Sequence, residues 1–188
     1  MSDSFSIGLA SLQRDAAAGR GLPPVERWNP DHCGDIDIRI ARDGTWFHQG
    51  TPIGRRELVR LFSTILRKDP DGYHLVTPAE KMRITVDDVP FLAVLLDAEG
   101  RDASQRLTFT MNVGDQVVAG PDNPIRVETD PTTDEPVPYV HVRKGLEARI
   151  SRAVFYQLAD LAVPGTGRHE HFLGVWSRGA FFPIGKPA

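Results

Sequence analysis

Alternation of apolar and polar positions is clearest in DIDIRIA. There Ile36, Ile38 and Ile40 face one way and Asp37 and Arg39 the other, the period of a half-buried strand. Asp43-Gly44 follows, a strong hairpin signal, so TWFHQ is expected to return as the partner strand. The period then changes. In RRELVRLFSTILRK, Leu58, Leu61, Phe62, Ile65 and Leu66 share one helical face. Arg67 and Lys68 fall in the last turn of that helix, where cations suit the helix dipole, and DPDG is expected to stop it. Short β-rich runs come next: YHLVT, MRITVDD, PFLAVLLDAEG, and a pair around Gly114-Asp115 in QRLTFTMNVGDQVVAG. The stretch PDNPIRVETDPTTDEPVP reads as one short strand, IRVET, in a long solvated loop rich in proline and acid. A strand YVHVR, a helix SRAVFYQLADLA and a closing hairpin HFLGVWSRGAFFPIG complete the pattern. At the other end, the first residues predict a short amphipathic helix with Phe5, Leu9 and Leu12 near one face, not a signal peptide.

Aligning Ile53 with Ile150 superposes the two helix starts, IGRRELVRLFSTIL over ISRAVFYQLADLAV. Gly54 then meets Ser151 at the expected caps, and each helix carries a hydrophobic staple, Ile53 to Leu58 and Ile150 to Phe155. Each helix follows an aromatic-bearing strand and precedes a strand pair that opens with an aromatic. The expected fold class is therefore α+β, an internal duplication of a strand–helix–hairpin motif. The expected domains are an N-terminal helix and connector over 1–22, a first α/β repeat over 23–98 and a second repeat over 99–188.

Composition narrows the function classes. With 40% hydrophobic and 25% charged residues the chain of 188 residues has the make-up of a globular protein. Its one cysteine, Cys33, allows no internal disulfide, which suits a reducing compartment and a cytoplasmic location. No apolar run is long enough to span a membrane. A net charge of −3 argues against a protein devoted to gripping nucleic acid, although a local basic patch is compatible with it.

Catalytic and metal motifs are sparse. No nucleophile elbow surrounds a serine, and neither a Cys-x-x-Cys nor a His-Glu-x-x-His spacing occurs, so no metal and no cofactor is expected. His32-Cys33 and the H-x-H of His169 and His171 are a weak metal signal at most. Asp35, Asp37, Asp87 and Asp88 are the carboxylates best suited to acid–base or Mg²⁺ chemistry, although such pairs more often form a solvated strand face or a turn. Arg55 and Arg152 align at the expected first helical positions. A cation there opposes the helix dipole unless an anion is held between it and the free backbone N–H groups, or an acid of the same fold pairs with it.

The stretch from Leu22 to Val94, carried by PPVERWNP, CGDIDIRI, DGTWFHQGTPI, LVRLFSTILRKDPDGYHLVTP and VDDVPF, resembles a bacterial family known as domain of unknown function 1285. That resemblance implies two repeated α/β motifs, the C-terminal one similar in outline to pleckstrin-homology-like folds. It implies no established activity and no catalytic residues, only a suggested ligand site between the halves and a suggested link to signal transduction. The expected function is a ligand-binding or regulatory protein whose partner is an anionic small molecule, a protein or a peptide. Its expected site residues are Trp46, His48, Arg55, His141, Arg152 and Asp37. The alternative is an enzyme using paired aspartates, with or without a metal.

Overall fold

The computed structural model describes residues 21–186, and the expected N-terminal helix lies outside them. The chain divides into two units, Met1–Asp88 and Val89–Ala188.

The N-terminal unit opens with a 3₁₀ turn at Val25–Arg27. It continues through β1 (His32–Ile40), β2 (Trp46–His48), β3 (Thr51–Pro52), α1 (Arg56–Thr64), β4 (Leu66–Asp69), β5 (Gly72–Val76) and β6 (Glu80–Val86). Its six strands lie in the order β3-β2-β1-β6-β5-β4. All neighbours are antiparallel except β1 and β6, the parallel pair at the centre. The hairpin expected at Asp43-Gly44 is present: Ile38 lies opposite His48 and Ile40 opposite Trp46. Asp43 Oδ1 accepts from the Thr45 amide at 2.9 Å, and Gly44 takes a φ of 82°. A second turn follows at once. Gln49 and Gly50 both have positive φ, 50° and 74°, the two-residue geometry that matches strand twist and sends the chain into β3.

The core of this unit packs α1 against the sheet. Leu61, Phe62, Ile65, Ile40, Trp46, Leu75 and Val76 are all buried, and the Trp46 and Phe62 rings stack with centroids 6.1 Å apart. The helix is shorter than the apolar spacing predicts. It ends at Thr64, where the Ser63 and Thr64 hydroxyls donate back to the carbonyls of Arg60 and Leu61. Leu66–Asp69 is drawn into a ladder with Gly72–Val76, so DPDG is a hairpin turn rather than a helix stop.

The C-terminal unit runs β7 (Phe91–Glu99), a 3₁₀ turn at Asp102–Ser104, β8 (Arg106–Met111), β9 (Gln116–Val118), β10 (Ile125–Thr129), β11 (Pro136–Arg143) and β12 (Leu146–Ile150). Then come α2 (Arg152–Asp160), β13 (Val163–Pro164), a 3₁₀ turn at Gly167–His169, β14 (Leu173–Ser177) and β15 (Ala180–Gly185). The first six strands form a sheet in the order β10-β11-β12-β7-β8-β9, and the last three a separate sheet. Again the central neighbours, β12 and β7, are parallel. Much of the expected acidic loop is strand: Pro136 and Pro138 sit in β11 where it pairs with β10, ahead of its pairing with β12 from Tyr139 on, so their missing N–H groups are tolerated. Ser177 joins the two sheets, its hydroxyl donating to Ala119 O at 2.7 Å and accepting from the Leu107 amide at 3.0 Å.

The α+β class and its duplicated strand–helix–hairpin unit are therefore corrected. The protein is mainly β, with two short helices among the described residues. Those helices occupy unlike places, α1 between the third and fourth strands of its sheet and α2 after the sixth. The pleckstrin-homology-like outline expected of the C-terminal half fails with it, since that half is a six-stranded sheet with a parallel centre followed by α2 and a further three-stranded sheet. The similarity of the two helix starts reflects what any short amphipathic helix on a sheet needs.

Candidate functional site

The cleft of the N-terminal unit begins with an irregularity in β1. Asp35 pairs with Arg83 of β6 and Arg39 with Thr85, so Ile36, Asp37 and Ile38 stand opposite the single residue Ile84. Extra residues of this kind bend a strand and break its pairing. Here the bend lies in DIDI, and the displaced Asp37 carbonyl accepts from the Gln49 amide at 3.0 Å, tying it to the β2–β3 turn.

Bulge, turn and helix start together border an open cleft of about 1010 Å³. Its apolar lining comes from Ile36 and Ile38 of β1, Met82 of β6, Ile53 after β3, and Leu58 and Phe62 of α1. Ile36, Ile53, Leu58 and Met82 are only half-buried, which leaves apolar surface open to a ligand. The polar lining includes His32, Asp35, His48, Gln49, Arg55 and Glu80.

Arg55 is the N-cap of α1, one residue later than the glycine expected there, and no side chain caps this helix. Helix geometry leaves the amides of Arg56 and Glu57 without an acceptor inside the helix, and the N-terminal dipole end favours negative charge. Arg55 is exposed and forms no ion pair among the described residues. His48 is likewise exposed at the end of β2.

Of the other expected site residues, Trp46 and Asp37 belong to the N-terminal unit and do not line the cleft, and His141 and Arg152 belong to the C-terminal unit. Trp46 is core, 2% exposed, and its indole Nε1 is buried without a hydrogen-bond partner. The Asp37 side chain is exposed and does not line the cleft. Asp87, from the other carboxylate pair, accepts from Arg39 at 2.6 Å while that guanidinium stacks on Phe47. In the C-terminal unit, His141 Nε2 accepts from the Gly145 amide at 3.1 Å, so its Nδ1 carries the proton and donates to Asp122 O at 3.0 Å. Both ring nitrogens are thereby used in holding loops. Arg152 pairs with Glu135 at 2.9 Å, both side chains well exposed. The structure thus brings His48 and Arg55 to one cleft and gives His141 and Arg152 local partners.

Residues 23–89 match the DUF1285 N-terminal domain, a domain of unknown function, and residues 90–184 match the C-terminal domain of the same family. The chain belongs to the DUF1285 family. Among solved structures, a DUF1285 family protein from Silicibacter pomeroyi DSS-3 is 53% identical, with 91% of this chain and 94% of that one covered and a TM-score of 0.82. A DUF1285 family protein from Shewanella baltica OS155 is 25% identical, covering 65% of this chain and 90% of that one, with a TM-score of 0.53. No curated protein matches the sequence.

A second polar cluster in this DUF1285 chain escaped the sequence reading. His74, 2% exposed, lies in β5 opposite Arg67 of β4 and Arg83 of β6. Its Nδ1 is 3.7 Å from Asp69 and its Nε2 is 3.4 Å from Asp71. Burial pushes the imidazole pKa down, and the nearby Lys81 adds to this against the pull of both aspartates. Burial works the other way on Asp69, but Arg67, in a two-point contact at 2.8 and 2.9 Å, and Lys81 at 3.0 Å hold its carboxyl below the usual range. One ligand atom from each of Asp69, Asp71 and His74 lies within 4.8 Å of the others. The two carboxylates nevertheless flank opposite nitrogens of the ring, and Arg67, Lys81 and Arg83 already neutralise them. That is an ion-pair network closing the β4–β5–β6 face, not a convergent donor set for a metal. Only the spacing of DPDGYH could have pointed to it, and alternation gives no sign that a histidine will face inward.

Proposed function

We propose that this DUF1285 protein is a ligand-binding, regulatory module whose N-terminal unit holds an anionic small molecule in the cleft beside α1. The observation that supports this reading most is Arg55, unpaired among the described residues at a helix start that no side chain caps, on the edge of half-buried apolar surface. An anion there would be met by a guanidinium and by free backbone amides together, reversing the unfavourable placement of a cation at that end of the helix. His48 and Gln49 supply further polar contacts from the β2–β3 turn.

The enzyme alternative has less to stand on. Of Asp35, Asp37, Asp87 and Asp88, Asp35 alone lines the cleft, so neither of the expected aspartate pairs is assembled there.

Thermal unfolding of the wild type and of Arg55→Gln against acetate, phosphate, sulfate and nucleotides tests the reading. A binding anion at a hundred times its Kd raises stability by about 2.7 kcal/mol. Arg55 is exposed, so the variant should fold normally and lose that gain. An identical shift in both proteins, or none with any anion, refutes the proposal.

A further inference from the structure

The geometry points to one class of anion for the cleft: an amphiphile with an extended acyl chain and a single-charged carboxylate head. This inference rests on the anion-binding reading above and narrows it.

Charge limits the head. Among the described residues, Arg55 is the one lysine or arginine that lines the cleft, while Asp35 and Glu80 both line it too. Glu80 is 5% exposed and engaged within the fold, and Asp35 is exposed. One guanidinium and one helix end can balance one negative charge. A phosphate ester or nucleotide would bring two or more charges into a cleft that already holds two carboxylates, and like charges at short range repel. A carboxylate also fits the planar fork of arginine in a two-point contact.

Shape and polarity select the body. The apolar residues follow the sheet order from Ile53, beyond β3, through Ile38 and Ile36 of β1 to Met82 of β6, with Leu58 and Phe62 of α1 above them. Crossing from β3 to β6 spans three strand spacings, about 14 Å at roughly 4.8 Å each. An extended chain of about twelve carbons, advancing about 1.25 Å per bond along its zigzag, covers that distance. Arg55 sits at the β3 end, so the head would lie there and the chain would run toward Met82. The half-buried Ile36, Ile53, Leu58 and Met82 then lose their remaining contact with water, which is the driving force.

Calorimetric titration of the full chain with acetate, octanoate and decanoate, each below its micelle threshold, is the test, with phosphate, adenosine monophosphate and the uncharged octanamide alongside. The expected result is a Kd that tightens about fourfold for each buried methylene. Octanoate should bind well ahead of octanamide and of both phosphates. Arg55→Gln should bring octanoate down to the level of octanamide, and Leu58→Gln should flatten the dependence on chain length while leaving the preference for a charged head. Binding of phosphate or the nucleotide that Arg55→Gln abolishes, without any chain-length dependence, overturns the amphiphile and leaves the anion site standing. Equal binding of decanoate by the wild type and both variants means adsorption elsewhere and overturns the inference. If no anion responds to Arg55→Gln, both readings fall.

Discussion

His74 is the residue whose surroundings make the sharpest demand. Its ring is buried between two strands that present arginines, and its folded pKa lies below the ordinary 6.5. The unfolded chain therefore takes up a proton more readily than the folded one. The resulting stability is fully present above about pH 6.5 and is lost as pH falls through that value toward the depressed folded pKa. Asp69 and Asp71 behave in the same sense at lower pH, because each is held below the ordinary aspartate value in the folded state. Denaturant unfolding between pH 7.5 and 5 should show stability declining with acid, and His74→Gln should flatten that slope. A slope unchanged in the variant would assign it to other groups. None of this is legible in YHLVT, where the histidine occupies a position that alternation alone leaves open. His48 and Arg55 were legible because each stands next to a turn or a helix start, where local chemistry fixes what surrounds a side chain. His141 carries the same signals, and its ring nitrogens are claimed by Asp122 and Gly145, loop atoms whose approach only tertiary structure decides.

At the scale of elements, the two helix starts separate what sequence can and cannot specify. Ser151 caps α2, its hydroxyl accepting from the Val154 amide at 3.4 Å, and the sequence reading placed that cap correctly. In α1 the cap lies at Arg55 and Gly54 stands outside the helix. Ser151→Ala should lower stability by about 1 kcal/mol, the usual worth of a serine cap, whereas Gly54→Ala should change little, its φ not being positive and the space around its missing Cβ being open. Urea titrations of the two variants check this, and equal losses would mean that Gly54 acts as a cap after all. Helix endings were less readable. The apolar period continues from Ile65 into Leu66, but Leu66 serves a strand core as well as a helix face, and the ladder with β5 decides. The Gln49-Gly50 turn was missed for a related reason: glutamine seldom adopts positive φ, so nothing marks it beforehand.

For the whole molecule, strands were easier to foresee than the arrangement that contains them. Runs such as DIDIRI, MRITV and LTFTM announce β structure by their alternation. Strand order depends on which distant runs meet, and a helix on a sheet looks much the same in many folds, so the α+β duplication was a natural misreading. Every ladder of the first six-stranded sheet joins strands of the N-terminal unit. A fragment covering residues 21–88 should therefore fold by itself, with a stability of only about 3–5 kcal/mol, as expected of a core this small. Near-ultraviolet circular dichroism from buried Trp46 and a cooperative urea transition would show it, and a featureless spectrum would refute it. The parallel pair at the middle of each sheet has a consequence for synthesis. Ile40 meets Val86, and Ile150 meets Ala93, so each pair joins the first strand of its sheet to the last. As the chain leaves the ribosome, the hairpins at either flank can form early, while the seam between them must wait for the sixth strand. Each sheet closes from its edges inward, and until then the first strand, which ends up central, has one side exposed to any other unpaired strand nearby.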